Sequence, residues 1–234
     1  MKIGLLGYGR LGRLLGAQLA DDFEWIIHDP VHAGEPFASL PEAASCETVV
    51  LAVPMSSMEP ACREIAPYLR PGQLLLDTCS VKMHPLEVMR QFIPAGVEVI
   101  GTHPLFGPDS ARDGLRGHKV VLCPLTHGRV GEVRAYLEDK GLRVIMATPE
   151  EHDRAMAETQ CLFHLMARTI QEMGLKTGDI ATPGPARLYS DFGILQHDTR
   201  QLFVDLQKLN PFAAEIRRRF IDTLLRLDAS LKSE

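Results

Sequence analysis

Ile3-Gly4-Leu5-Leu6-Gly7-Tyr8-Gly9-Arg10-Leu11-Gly12 is the stretch on which the fold turns. A short apolar run ends in a glycine, and helically spaced apolar residues continue from Leu11 to Ala20. That order reads as a buried parallel strand, a tight turn and a helix. Gly7 permits the turn, Gly9 lets a pyrophosphate approach the backbone, and Gly12 lets helix and strand pack closely. The helix N-terminus then offers N–H groups to the anion. G-x-G-x-x-G spacing alone is weak; its position directly after a strand and opening a helix is what gives it weight.

Working outward, Glu24–His28 is a second strand ending at Asp29-Pro30. A carboxylate at Asp29 can accept bonds from the adenosine ribose hydroxyls and would repel a 2′-phosphate, which favours NAD over NADP. Arg10 and Leu11 in the loop, and Val53 and Pro54 closing a third strand from Thr48, complete the expected cofactor contacts within this half. Gly34, Pro36 and Pro41 break the segment 31–46, so its crossover should hold one turn of helix at most. Further strands are expected at 74–77, 97–102, 119–123 and 142–147, and helices at 59–69, 85–92 and 130–140. Strands alternating with helices indicate an α/β fold, a Rossmann-type doubly wound and mostly parallel sheet, over residues 1–148.

After Thr148 the pattern changes. Thr148 caps and Pro149 opens one long helix, expected to run to Met173, with Glu150, Glu151 and Asp153 at the positive end of its dipole. A loop over 174–185 should follow, then helix from Arg187 to Leu209. A last helix carries Phe212, Ile216, Phe220, Leu224 and Leu227 as a stripe. Residues 149–234 thus read as a smaller all-α domain. Three helices make a thin core alone, so a second copy should cover them, giving a homodimer.

The formal charge of −5 and pI near 6.0 leave no basic surplus for nucleic acid. Five cysteines, widely spaced and without C-x-x-C, argue against a disulfide framework and against a zinc site; no metal is expected. Arg10 and Arg13 interrupt the N-terminal apolar run, and its glycines fit a phosphate loop better than a signal peptide, so none is expected. No apolar stretch reaches 18 residues, so no membrane span is expected. These features suit a cytoplasmic protein.

Two later stretches carry chemistry. Gly101-Thr102-His103-Pro104-Leu105-Phe106-Gly107-Pro108 puts a histidine at a strand end, in a turn braced by proline and glycine. Ligands of open α/β sheets sit beyond the carboxyl ends of the strands, and a histidine there can exchange a proton near neutral pH. Asp77-Thr78-Cys79-Ser80-Val81-Lys82 follows the fourth strand; Ser80 could hold that histidine by a hydrogen bond, and Lys82 could add positive charge. His152 and His164 lie twelve positions apart on the long helix and cannot form a close pair there. Arg187 follows Pro183-Gly184-Pro185; arginine is the natural bidentate partner of a carboxylate.

Several of these residues together resemble the prephenate and arogenate dehydrogenases of tyrosine biosynthesis. The similarity lies in the glycine loop, Ser80-Val81-Lys82, His103-Pro104-Leu105-Phe106-Gly107-Pro108-Asp109-Ser110, Glu151-His152-Asp153, the Gln160 to His164 segment and Arg187-Leu188. The resemblance implies an NAD-dependent oxidative decarboxylation of a small-molecule substrate. His103 would be the general base for the ring hydroxyl, and Ser80 would hydrogen-bond both histidine and hydroxyl. Hydride would pass from ring carbon C4 to the nicotinamide, and carbon dioxide would leave as the ring becomes aromatic. Arg187 would grip a substrate carboxylate, with His152, His164 and Lys82 as further substrate contacts. Thr148 stands where some members carry a serine near the nicotinamide. Prephenate is the expected substrate; arogenate, 4-amino-4-deoxyprephenate or a non-catalytic NAD-binding regulator are the alternatives. A broader β-hydroxyacid dehydrogenase is disfavoured, since Glu150–Leu165 lacks the lysine base such enzymes carry on this helix.

Overall fold

Strands β1 (Lys2–Leu6), β2 (Glu24–His28), β3 (Thr48–Leu51), β4 (Leu74–Asp77), β5 (Glu98–Pro104), β6 (Lys119–Pro124) and β7 (Arg143–Met146) form one sheet in the order β2-β1-β3-β4-β5-β6-β7. The computed structural model describes residues 1–232, the side chains of Ile194 and Gln196 excepted. Strands β1 to β5 are mutually parallel, and the order reverses between β1 and β3. That reversal opens a crevice at the carboxyl ends of the strands, where the glycine loop sits. Thr48–Leu51 is buried throughout, as expected of a central strand covered on both faces.

Strand β6 runs antiparallel to β5 and parallel to β7. The connection from Leu105 to His118 contains no helix. A parallel neighbour needs a crossover, usually helical, so the helix-free connection accounts for the reversal.

One face carries α2 (Leu40–Ala44), α3 (Met58–Ile65) and α4 (Met83–Phe92). The crossover from β2 is short, as the glycine and prolines of 31–46 require, and holds only the five residues of α2 behind a Ser39–Glu42 capping box. This helix lies so close to β1 that a Cβ on Gly4 would stand 2.0 Å from the Ala43 carbonyl oxygen. The other face carries α1 (Arg10–Gln18) and α5 (Val130–Asp139); Leu14 of α1, Leu19 just after it and Val133 of α5 share a core cluster with Leu74, Ile100 and Val120 of the sheet.

The chain divides into two compact units, Met1–His152 and Asp153 onward. The expected single helix over 149–173 is interrupted. It comprises α6 (Pro149–Met156), a π-turn at Ala157–Cys161 and α7 (Leu162–Glu172), and Gly174 ends it at φ +69°. A π-turn widens the ring of backbone bonds and leaves a carbonyl needing another donor. Here the Gln207 side chain donates to the Cys161 carbonyl at 2.8 Å. The remaining helices are α8 (Pro183–Ile194), α9 (Arg200–Leu209) and α10 (Ala213–Leu231). Helix α8 begins within the expected loop, because Thr182-Pro183 starts a helix as well as it ends a loop.

Candidate active site

The glycine loop has the geometry its residues imply. Gly7 adopts φ +96°, and a Cβ there would lie 2.5 Å from the Ala52 carbonyl oxygen. A Cβ on Gly12 would lie 2.3 Å from the Gly7 carbonyl oxygen, so loop and helix touch backbone to backbone. A Cβ on Gly9 meets nothing within 4 Å. The space above Gly9 is open, as close approach of a pyrophosphate demands.

Asp29 braces this loop. Its carboxylate accepts from the Tyr8 N–H at 2.7 Å and the Val31 N–H at 2.9 Å, and meets His32 Nδ1 at 2.9 Å. Burial pushes its pKa up, but the Tyr8 bond and the His32 and Val31 contacts outweigh that and hold it below the ordinary value. A carboxylate has about four acceptor positions, so these partners leave room for one ribose hydroxyl. Arg10 forms an ion pair with Asp109 at 2.7 Å, which ties the start of α1 to the loop after β5. Leu11 packs against the core, and Val53 lies 3.2 Å from the Cβ position of Gly7; Pro54 follows, exposed. Thr148 and Glu151 form reciprocal bonds: the Thr148 N–H and hydroxyl donate to the Glu151 carboxylate at 2.8 Å, and the Glu151 N–H donates back at 3.2 Å.

His103 lies inside β5 rather than in a turn beyond it, because the ladder to β6 continues through Pro104. It is 3% exposed, and its Nδ1 lies 2.8 Å from Nε2 of His152, the rings meeting edge to face with centroids 5.0 Å apart. Burial first, then the charges of His152 and Lys82, hold the His103 pKa well below the ordinary histidine value. His103 is therefore neutral at pH 7, and the bond between the rings contains one proton.

The expected hydrogen bond from Ser80 to His103 is not formed among the described residues; His152 takes Nδ1 instead. Ser80 sits three residues beyond Asp77, which is in register with Gly101 of β5, so it shares the sheet edge with His103. Lys82, expected as a substrate contact, is fully buried. Its ammonium pairs with the Asp77 carboxylate and donates to the Thr102 carbonyl at 2.6 Å. Its charge thus acts through the strand carrying His103. His152 was expected to face substrate and instead backs His103. Asp77 was missed as a partner, although it opens the very motif that drew attention to Lys82.

Two further candidates belong to the helical unit. His164 on α7 is buried and lies 3.9 Å from Asp198; burial, with the nearby Arg168 charge, lowers its pKa to about 4. Arg187 is exposed on α8.

A glycine loop at the switch point of a doubly wound sheet defines the dinucleotide-binding class, and here a buried histidine pair lies on the same edge. Residues 33–146 match the family model described as prephenate dehydrogenase, nucleotide-binding domain. A probable arogenate/prephenate dehydrogenase of Methanocaldococcus jannaschii is 31% identical over 80% of this chain and 44% of its own length. The 4-amino-4-deoxyprephenate dehydrogenase of Streptomyces pristinaespiralis is 29% identical over 93% of this chain and 74% of its own. The fold is that of the A. aeolicus prephenate dehydrogenase solved with hydroxyphenyl propionate and NAD+, with a TM-score of 0.78 at 19% identity over 100% of this chain and 91% of that one. Residues 33–146 thus match the nucleotide-binding domain of the prephenate dehydrogenase family, and the chain as a whole is similar to prephenate and arogenate dehydrogenases. It spans less than half the length of the Methanocaldococcus relative.

Proposed function

We propose that the protein carries out the NAD-dependent oxidative decarboxylation of prephenate to 4-hydroxyphenylpyruvate. The observation that carries this reading is His103: a buried, neutral imidazole on the carboxyl edge of the sheet, its Nδ1 engaged by His152. With the shared proton on Nδ1, Nε2 of His103 is a lone-pair acceptor for the substrate's ring hydroxyl. A base unprotonated at neutral pH is what such a step needs. When bound, NAD supplies the hydride acceptor. Gly7, Gly9 and Gly12 hold the pyrophosphate, and Asp29 takes a ribose hydroxyl. Ser80 orients the substrate hydroxyl from the same edge. Arg187 would grip a substrate carboxylate and His164 would be a further substrate contact; both assignments rest on the family resemblance. Loss of the ring carboxylate as carbon dioxide is driven by aromatisation, so no further acid is required. The buried thiols suit a cytoplasmic setting.

Purified protein with NAD and, separately, prephenate, arogenate and 4-amino-4-deoxyprephenate tests the reading by absorbance at 340 nm. Turnover of prephenate in preference to the amino substrates supports it. Preference for either amine-bearing compound reassigns the substrate, and NAD binding without turnover of any overturns the catalytic reading. His103→Asn should abolish turnover while NAD affinity stays within about twofold.

We also propose a homodimer through the helical unit. Ile221, Leu224, Leu225 and Leu227 of α10 are each 46% exposed or more, an apolar surface that a second copy would cover. A monomeric mass by sedimentation at micromolar concentration would reject it.

A further inference from the structure

The sheet face between α1 and α5 is under-covered. Seven strands about 4.8 Å apart make a sheet roughly 29 Å wide, and two helices about 10 Å across cover roughly 20 Å of it. A third helix would come from the β5–β6 connection, but that connection is a loop. The shortfall appears as a cavity of about 280 Å³ wholly within the first unit. Val50 and Leu76 of the sheet, Leu15 of α1 and Val133 of α5 are among its walls. It reaches the surface at Met1, which is 59% exposed.

Three observations define what would fit. The walls are predominantly aliphatic and aromatic. The charged side chains at the lining are already paired, Lys140 with Asp22 at 2.6 Å and Glu132 with Arg129 at 2.6 Å, which favours an uncharged ligand. Trp25 also lines the cavity, and its indole N–H is buried without a hydrogen-bond partner. A buried donor left unpaired is costly, and an incoming acceptor would relieve it. In another protein a dry cavity of roughly 150 Å³ takes up benzene; this one has room for a ring with a short chain.

We propose that this cavity binds a small, uncharged, largely apolar molecule with one hydrogen-bond acceptor, which takes the Trp25 indole N–H. The site is separate from the crevice assigned to cofactor and substrate. Thr102 and Pro104 line it while His103 between them does not, as alternation along a strand requires. The cavity therefore ends on the back of the strand that bears His103.

Trp25 is the chain's single tryptophan, so its emission reports on the cavity directly. The experiment titrates the full-length protein with 4-phenyl-2-butanone and with butylbenzene, which has a similar shape and no acceptor. The expected result is a saturable change in emission, a rise in Tm, and roughly tenfold tighter binding of the ketone. In Trp25→Phe, followed by Tm and calorimetry, the two probes should bind equally. Linear quenching matching that of free tryptophan, with no Tm change, overturns the site. Equal affinities for both probes in the unaltered protein overturn the acceptor assignment, and do so even if Trp25→Phe fails to fold.

Discussion

His103 and His152 show how much a single neighbour sets. A bond that shares one proton between the rings gives His103 a defined tautomer only if His152 accepts from it. His152→Gln retains an acceptor, whereas His152→Leu has none. The glutamine variant should keep kcat within about tenfold, and the leucine variant should lose about a hundredfold. His152 also depresses the His103 pKa, so in His152→Gln the acid limb of kcat/KM should move up toward the ordinary histidine range. Equal rates for the two variants across pH would remove His152 from the mechanism. The sequence offers His103 as a candidate because it falls near a strand's carboxyl end, the edge on which ligands of open α/β sheets sit. Its partner was not legible there, because the two residues are 49 apart and no local pattern signals a long-range contact. Lys82 illustrates the same gap: the sequence displays a charge, and only the packing reveals that Asp77 neutralises it.

Among the elements, the glycine loop separates folding from binding. Gly7→Ala forces a Cβ into the Ala52 carbonyl at positive φ and should lower stability by roughly 1–3 kcal/mol. Gly9→Ala meets open space, so Tm should hold while the KM for NAD rises at least tenfold. A fall in Tm for Gly9→Ala equal to that for Gly7→Ala would mean the loop is only structural. The joint between β4, α4 and β5 rests on the buried Asp77–Lys82 pair. Lys82→Met would leave the carboxylate buried and unpaired, and denaturant unfolding should register a loss of about 3–5 kcal/mol; a change below about 1 kcal/mol would contradict that burial. Strands β2 and β4 fall where their short apolar runs and flanking turns put them, since those signals are local. The antiparallel β6 was legible only indirectly, through a β5–β6 connection too poor in helix for a crossover. The π-turn in the long helix was not legible, because the Gln207 side chain that completes it comes from another helix.

For the whole molecule, buried histidines make stability depend on pH. His164 has a folded pKa of about 4, below the unfolded value near 6.5. As pH falls below about 6.5 the unfolded chain takes up a proton that the folded chain refuses, so stability is full above that pH and drains away down to about pH 4. The loss from His164 alone amounts to about 3 kcal/mol, and His103, shifted in the same direction, adds to it. Urea unfolding at pH 7.5 and 4.5 should show that decline, and His164→Gln should flatten it. An unchanged slope in that variant would mean His164 titrates normally.

The π-turn at Ala157–Cys161 has a consequence for angular phase. Each residue of an α-helix advances the side chains by about 100°, and a π-turn amounts to one residue inserted into the spiral. Everything after it, His164 included, is rotated by that amount relative to an unbroken helix. Deleting one residue between 157 and 161 would regularise the spiral and swing the imidazole about a quarter-turn off its buried side. The orientation of this histidine is thus a matter of counting, fixed by a single supernumerary residue.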